Sequence, residues 1–381
     1  MFKRTKRIVG LDYGYATIRA AEVELAADGS YRLLKWGTVP TPEGALDNEG
    51  KVLDPARLAA GLKEVLRESG ITTKKVVTMI PAAGLVIRNF IMPFMDVVEL
   101  REAAIWEGSQ YLPYPVEETT YDIIPIYYQN PEQSSDAEVI LIAAHSPEVE
   151  RLMQAFHQAK LEVVGIDAGP LALARALGIG KVDPQNLPPR QIIDDPLGEA
   201  AATGYGIDGG ISEAIIDLGS GTTDVAIFRD AYIRISRSFT IGGCQFEERI
   251  AERLGLELGE AHQIKLTKAS INVDGIVPLG DDEETKIGQA VQEVAEEMVE
   301  EMQRSLDYYR AQNGWIPIDR IVVTGAGVRM PGMVEYLHNI LGVQIELADP
   351  LQNLVRADNF PSDVEAYSGA IGLALWKVNT E

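Results

Sequence analysis

The chain is poor in sulfur and in imidazole: its 381 residues carry one cysteine, Cys244, and four histidines, His145, His157, His262 and His338. A single thiol cannot close an internal disulfide, so the fold must stand on its apolar core. The histidines show neither an H-E-x-x-H pair nor clustered spacing, which argues against a dedicated zinc site. No apolar run reaches the roughly 18 residues that a membrane-spanning helix needs, and the longest, such as 137–144, have the length of a strand. Positive charge is scarce as well. Lys and Arg number 34 against 57 Asp and Glu, a net charge of −23. That balance argues against a general nucleic-acid binder and against electrostatic attachment to anionic lipid. No G-x-x-x-x-G-K-[ST] occurs, so a P-loop is excluded. Residues 1–7 run into the first strand without an apolar signal segment, with Lys3, Arg4, Lys6 and Arg7 as a solvated lead-in, and a cytoplasmic protein is expected.

What is present is ordinary globular composition, 46% hydrophobic and 24% charged, in a chain long enough for two domains. Its informative feature is an internal repeat. Ile8-Val9-Gly10-Leu11-Asp12-Tyr13-Gly14-Tyr15-Ala16-Thr17 and Ala214-Ile215-Ile216-Asp217-Leu218-Gly219-Ser220-Gly221-Thr222-Thr223-Asp224 read as two copies of one hairpin. In each, a β-rich run delivers an Asp into a glycine turn and a second run returns. Glycine lets backbone N–H groups approach phosphate oxygens, and Asp offers a hard oxygen to a hydrated Mg²⁺. Asp12 and Asp217 are therefore the candidate metal holders. Gly219, Ser220, Gly221, Thr222 and Thr223 are the candidate phosphate cradle, opposite Tyr13, Gly14, Tyr15, Ala16 and Thr17. A third strand and glycine turn, with Gly325, Ala326 and Gly327, offers a flat backbone surface for a nucleoside. It fails as a dinucleotide fingerprint because Met330 stands where the third glycine belongs. Cys244, beside Gly242-Gly243 at an expected helix start, reads as small-residue packing.

Hydrophobic periodicity predicts an α/β chain. Strands are expected at 8–12, 17–25, 31–38, 75–80 and 85–92, with a helix over 55–69. A helix over 97–111, a strand over 121–128, a polar turn at 130–136 and a strand over 138–144 read as an inserted block. A helix at 146–158, a strand at 161–166 and a helix from 169 to 177 return to the main sheet. After a Pro- and Gly-rich stretch come strands at 213–218, 224–229 and 231–238, a helix over 243–254 and a long helix over 284–313. On the latter, Ile287, Val291, Val294, Met298, Met302, Leu306 and Tyr309 form one apolar face. The expected domains are 1–180, with an insert at about 94–160; a linker at 181–212; 213–365, including a smaller part at about 240–313; and a returning helix in 366–381.

In order, these motifs resemble the actin-like ATPase superfamily, whose fold is two ribonuclease-H-like halves closing on a nucleotide. The likeness gives 12–17 and 217–224 as phosphate motifs, 165–173 and 366–374 as connecting helices, and 324–332 as the adenosine motif. Within it, Ile87-Arg88-Asn89-Phe90-Ile91-Met92-Pro93, Glu99-Leu100-Arg101-Glu102-Ala103-Ala104-Ile105-Trp106-Glu107 with Tyr111-Leu112-Pro113-Tyr114-Pro115, and Arg304-Ser305-Leu306-Asp307-Tyr308-Tyr309 resemble the PilM family of type IV pilus assembly proteins. The resemblance implies a cytoplasmic scaffold that binds ATP and Mg²⁺ between its halves. It also implies a grip on the N-terminal cytoplasmic tail of the inner-membrane protein PilN, with Glu99, Trp106, Glu107 and Tyr111 in the partner-binding block. Pilus assembly ATPases as further partners, a homo-oligomeric ring, recruitment to the inner face of the inner membrane, and a part in twitching motility complete the expectation. Lys265 is placed near the ribose, and Arg304 either stacks on the base or pairs with Glu300. Two departures stand out: Tyr15 and Ala16 replace small hydroxyl residues in the first turn, and His262 replaces a Glu three residues before Lys265. No residue for activating a water is evident, so hydrolysis is expected to be slow at most. A sugar or acetate kinase of the same superfamily is the alternative, but no catalytic Asp for a second substrate is apparent. The cell-division adaptor FtsA, which ends in an amphipathic membrane helix, is the other; here only 377–381 follow the last connecting helix.

Overall fold

A computed structural model of the chain describes residues 6–126, 136–179, 210–276, 279–355 and 360–376. Two five-stranded sheets share one topology. In the first, β1 (Lys6–Tyr13) is antiparallel to β2 (Thr17–Leu25) and parallel to β4 (Lys75–Ile80), with β3 (Tyr31–Pro40) and β8 (Glu162–Ala168) on the edges. Between β4 and β8 the chain builds a separate antiparallel sheet, β5-β7-β6, from β5 (Leu85–Pro93), β6 (Thr119–Ile126) and β7 (Asp136–His145). In the second large sheet, β9 (Ser212–Leu218) stands where β1 stands, antiparallel to β10 (Thr223–Arg229) and parallel to β12 (Arg320–Thr324). Its edges are β11 (Tyr232–Phe239) and β13 (Ile345–Leu347). The orders β3-β2-β1-β4-β8 and β11-β10-β9-β12-β13 match element by element. The duplication seen in two turns thus extends through both sheets.

Alternation along the central strands sorts residues between two faces. Val9 and Leu11 of β1 point into an outer core with Leu58 and Leu62 of α1 (Pro55–Glu68) and Phe156 of α3 (Ser146–Gln158). Gly10 points the other way, against α9 (Ser368–Ala374). In the second half Ile216 and Leu218 face an outer core built with α5 (Gly243–Leu254), α7 (Glu283–Gln312) and α8 (Met333–Leu341), while α6 (Leu258–Lys268) packs on α5. The whole expected stripe of α7, from Ile287 to Tyr309, is buried there. Ile215, Phe228, Ala21 and Val23 instead face a middle layer holding Leu173 and Leu177 of α4 (Gly169–Leu177) and Ala370 and Ile371 of α9. Both connecting helices are thereby clamped between the sheets.

Local chemistry fixes the ends. Asp54 accepts hydrogen bonds from the Ala56 and Arg57 N–H groups ahead of Pro55, and Asp282 accepts from Thr285 N–H at the start of α7. Three boundaries differ from the sequence reading. The segment 165–173 is not one helix: Gly165 lies in β8, and α4 begins at Gly169 with Pro170 in its first turn. The helix expected over 97–111 ends at Gly108, α2 being Val97–Gly108, and a 3₁₀ turn carries the chain to Tyr111. The small sheet begins at Leu85, and α3 packs with α1, so the extra block is bounded by 85 and 145 rather than by 94 and 160. The expected turn at 130–136 lies outside the described residues apart from Asp136. So does the linker at 181–212, apart from 210–212.

A Cβ added at Gly10 would fall on the Ala370 carbonyl oxygen, and one at Gly372 on the Ala172 carbonyl oxygen, so β1, α9 and α4 meet backbone to backbone. Overpacking such a contact costs about 3 kcal/mol. We predict that Gly10→Ala lowers the melting temperature by several degrees. Gly259→Ala, an exposed α6 position with nothing within 4 Å of an added Cβ, should leave it unchanged or raised. Thermal unfolding followed by circular dichroism checks both.

Candidate functional site

The two glycine turns have the same geometry. In the first, Tyr13 pairs with Ile18 and Asp12 with Arg19 across the hairpin, and Gly14 N–H donates to Thr17 O at 2.9 Å. In the second, Leu218 pairs with Thr223 and Asp217 with Asp224, and Gly219 N–H donates to Thr222 O at 3.0 Å. Each central strand therefore ends on an Asp whose cross-strand neighbour is charged, Arg19 in one half and Asp224 in the other. The third turn follows β12, where Thr324 pairs with Asp217. Gly325 has φ +85°, and a Cβ there would collide with the Asp217 carboxylate, so the turn and the acid need a glycine between them. Gly243 N–H donates to Gly219 O at 3.0 Å and Cys244 N–H to Ser220 O at 2.9 Å, which hangs the start of α5 on the second turn.

These elements enclose a cavity of about 580 Å³ between the halves. Asp12, Tyr13, Gly14, Tyr15, Ala16 and Thr17 line it from one side. Asp217, Gly219, Ser220, Gly221, Thr222 and Lys265 line it from the other, with Gly325, Ala326 and Gly327. Two expected residues are not there. Thr223 is fully buried, its hydroxyl donating to Ile241 O at 2.7 Å; it faces the α7 side because its neighbours 222 and 224 take the cleft side. Arg304 lies on the outside of α7, paired with Glu300 at 3.3 Å and with Glu301, and does not reach the cavity. The sequence reading missed Arg19, the segment 48–50, Glu247 and Glu365, and it held Asp224 and Arg329 only as members of the phosphate and adenosine motifs without a role of their own; all of these line the site. Lys265 belongs to α6, a second helix beyond the one that follows Gly242-Gly243.

Charge in the cleft is unbalanced. Burial pushes Asp217 up to about 7, with repulsion from Asp224 and Asp12 adding to it and Arg19 opposing. Asp224 is pushed up to about 6 by burial, against hydrogen bonds from Ser238 and Thr222. Burial also raises Asp12, again opposed by Arg19. Arg19 itself has a buried Nε without a hydrogen-bond partner, and its guanidinium carbon lies 6.0 Å from the Tyr367 ring centroid. An unsatisfied cation beside carboxylates that resist ionising suits a ligand bearing an anion and a divalent metal together. Among the described residues no three acidic, histidine or cysteine side chains gather closely enough to ligate an ion directly. Cys244 is a half-buried wall residue whose thiol is pushed up by burial and by nearby Glu248 and Glu247.

Glu99, Trp106, Glu107 and Tyr111 lie elsewhere, exposed along α2 and the turn after it, with Trp106 65% accessible. The Tyr111 and Phe90 rings stack with centroids 6.3 Å apart. Ile91, Phe94, Val97 and Val98 are exposed near the start of the same helix. None of these nine lines the cavity.

Among known proteins, the chain is 24% identical over 404 residues to cell division protein FtsA of Pseudomonas aeruginosa, covering 97% of this chain and 89% of that one. It superposes on a PilM-PilN type IV pilus biogenesis complex with a TM-score of 0.76 and 26% identity, over 97% of each chain. MreB5 of Spiroplasma citri, solved bound to ADP, shares the fold with a TM-score of 0.52 at 13% identity, over 96% of this chain and 94% of that one. The architecture is accordingly the actin-like ATPase fold. Residues 10–193 and 204–378 match the family described as type IV pilus assembly protein PilM, and the chain belongs to that family.

Proposed function

We propose that this protein is an ATP-binding scaffold of type IV pilus assembly, which holds the N-terminal cytoplasmic tail of a PilN-like inner-membrane protein and links it to the pilus assembly ATPases. The observation that carries the nucleotide half is the unpartnered Arg19 Nε among the Asp12, Asp217 and Asp224 carboxylates. Mg²⁺ with a polyphosphate supplies the cation for the acids and the anion for the guanidinium. Asp12 and Asp217 take the metal through water; Gly219, Ser220, Gly221 and Thr222 offer N–H and hydroxyl donors to phosphate oxygens. Gly325, Ala326 and Gly327 leave room for the nucleoside. Tyr15, 44% exposed at the tip of the first turn, brings no aliphatic hydroxyl to the γ-phosphate and shields that end instead. The nucleotide then acts as a ligand that fixes the two halves, with hydrolysis slow at most.

The small sheet and α2 form the partner half. Trp106 and Tyr111 offer aromatic anchors, and Glu99 and Glu107 offer negative charge, to an apolar tail with basic residues. Support comes from the likeness to the PilM-PilN complex. No helix of the described residues is long and apolar enough to cross a membrane, so the inner face of the inner membrane is reached through that partner. Copies arranged as a ring would multiply the weak contact that each tail makes.

Asp217→Ala should weaken Mg-ATP binding at least about tenfold in calorimetry, since a water-held metal loses an acceptor; equal affinity in the two proteins would defeat the nucleotide reading. A peptide copying the partner's first cytoplasmic residues should bind the full chain in a fluorescence titration. Trp106→Ala should weaken it about tenfold or more, as loss of a buried aromatic anchor does, and no binding to the wild type would refute the tail assignment. The ligand-free protein should also titrate in a set direction. Asp217 rises from 3.8 unfolded to about 7 folded, so its stabilising contribution is whole below the lower value and is lost as pH climbs through the upper one. We therefore expect the melting temperature to drop between about pH 5 and about pH 8, and Asp217→Asn to flatten that profile; parallel profiles for both proteins would contradict the burial argument.

A further inference from the structure

One hairpin of the first half crosses to the second. Between β3 and α1 the chain folds back on itself, with Leu46 bridged to Val52 and with Ala45, Leu46 and Val52 buried in the outer core of the first half. Its tip is tightly bonded. Asp47 Oδ1 accepts from Glu49 N–H at 3.0 Å and from Lys51 N–H at 2.9 Å, Gly50 N–H donates to Asp47 O at 3.1 Å, and the Lys51 ammonium pairs with Glu49 at 2.9 Å. Gly50 has φ +83°, a conformation that an L side chain resists. Asn48, Glu49 and Gly50 line the cavity, whereas Asp47 does not.

The tip ends on the second glycine turn. A Cβ at Gly221 would fall 2.0 Å from the Asn48 carbonyl oxygen and 3.1 Å from Asn48 Cα, so the backbones of the two halves touch there. Counted from the matching hydrogen bonds of the two turns, Gly221 stands where the first turn has Ala16. Gly221 does not have a left-handed φ, so it is the approach of Asn48 that leaves no room for a side chain. The first turn is braced inside its own half: Thr41 N–H donates to Ala16 O at 2.9 Å, and the Thr41 hydroxyl donates to Gly14 O at 2.6 Å. The second turn is covered from across the cleft. The hairpin thus runs from the core of one half to the phosphate cradle of the other and closes the cavity along that seam. A Cα–H···O contact at its end is weak beside an N–H···O bond, so the seam can part without unfolding either half. From this geometry we propose that residues 47–50 are a latch over the phosphate side of the cleft: nucleotide enters and leaves when the tip lifts from Gly221, and the latch sets the rate of exchange. Its occupant is the Mg²⁺-nucleotide of the reading above, on which this latch rests.

A gate and a wall differ kinetically. A wall contact holds a bound ligand without hindering its arrival, whereas a gate slows arrival and departure together, because only the open fraction is competent. Rapid filtration of the full chain with radiolabelled ATP and Mg²⁺ reads both rates. Replacing 47–51 by an Asn-Gly turn removes the tip and closes the Leu46–Val52 bridge with a two-residue loop that hairpins favour. Asp47→Ala keeps the cavity wall, takes away only the hydrogen bonds that hold the tip, and decides alone should the replacement fail to fold. Association and dissociation should both quicken, at least about tenfold in the replacement, as for a latch open about one-tenth of the time, and about threefold in Asp47→Ala. The dissociation constant should move less than either rate. Faster dissociation with unchanged association overturns the latch and leaves the tip as a wall of the site. Rates unchanged in the folded variants overturn it too, and in both cases nucleotide binding stands. Failure of the wild type to bind Mg-ATP at all overturns the latch and the nucleotide reading together.

Discussion

Everything in the cleft follows from putting a carboxylate at the end of each central strand, on the face that looks toward the other half. Strand alternation does this: Val9 and Leu11 occupy the outer face of β1, so Gly10 and Asp12 occupy the inner one. Ile216 and Leu218 on the outer face of β9 leave Ile215 and Asp217 inside. With Asp224 facing Asp217 across its hairpin, three acids share a crevice in which Arg19 is the counter-charge that opposes the rise at Asp217 and Asp12. Burial raises the pKa of all three, and repulsion from Asp224 and Asp12 adds to it at Asp217, so the acids resist losing their protons until a cation arrives. The three acids thus cost the free chain stability that a cation in the crevice would return.

Holding those acids apart at a fixed distance requires stiff halves and a stiff connection. Stiffness in each half comes from a sheet with helices on its outer face, and the connection comes from α4 and α9 packed between the sheets. Gly10, Gly372 and Gly369 bring α9 into backbone contact with β1, with α4 and with the Asp12 carboxylate in turn. A larger residue at any of them would move the helix and the acid together. The same helix is tied to the third turn, since Thr324 Oγ1 lies 2.7 Å from Ser368 Oγ, and Arg329 pairs with the buried Glu365 just before it.

Much of this was legible because it is local. The glycine turns, the strands on either side, the stripe of α7 and the limits of α3, α4 and α5 follow from periodicity and turn chemistry within a few residues. Arg19 was also within reach: a hairpin closing on Gly14 and Thr17 puts residue 19 opposite Asp12, and the same counting places Asp224 opposite Asp217. Thr223 was misassigned by ignoring the alternation that hides it beneath Thr222. Arg304 shows the opposite limit. Helical spacing gives its pairing with Glu300, but not whether that face of a 30-residue helix meets the cleft or solvent. The segment 48–50 carries no local signal at all. Its place is set by Asn48 meeting Gly221 from the other half, a contact more than 170 residues away in sequence.

One connection between the small sheet and the cleft runs through β11. Asn89 of β5 donates through Nδ2 to Ile233 O of β11 at 3.0 Å, and Glu138 of β7 pairs with Arg234 of β11. Both ends of that ion pair are largely buried, so breaking one partner away would strand the other in protein. Farther along β11, Ser238 donates to Asp224 in the cleft. A displacement of the small sheet that keeps these contacts must carry β11, and with it the hydrogen bond that lowers Asp224. By linkage, a partner whose affinity depended on the position of β11 would change the affinity of the cleft for its ligand by the same factor that the ligand would change the partner's. The magnitude is bounded by what the weakest of these three contacts can sustain, so the coupling is at most about that of one charge-assisted hydrogen bond.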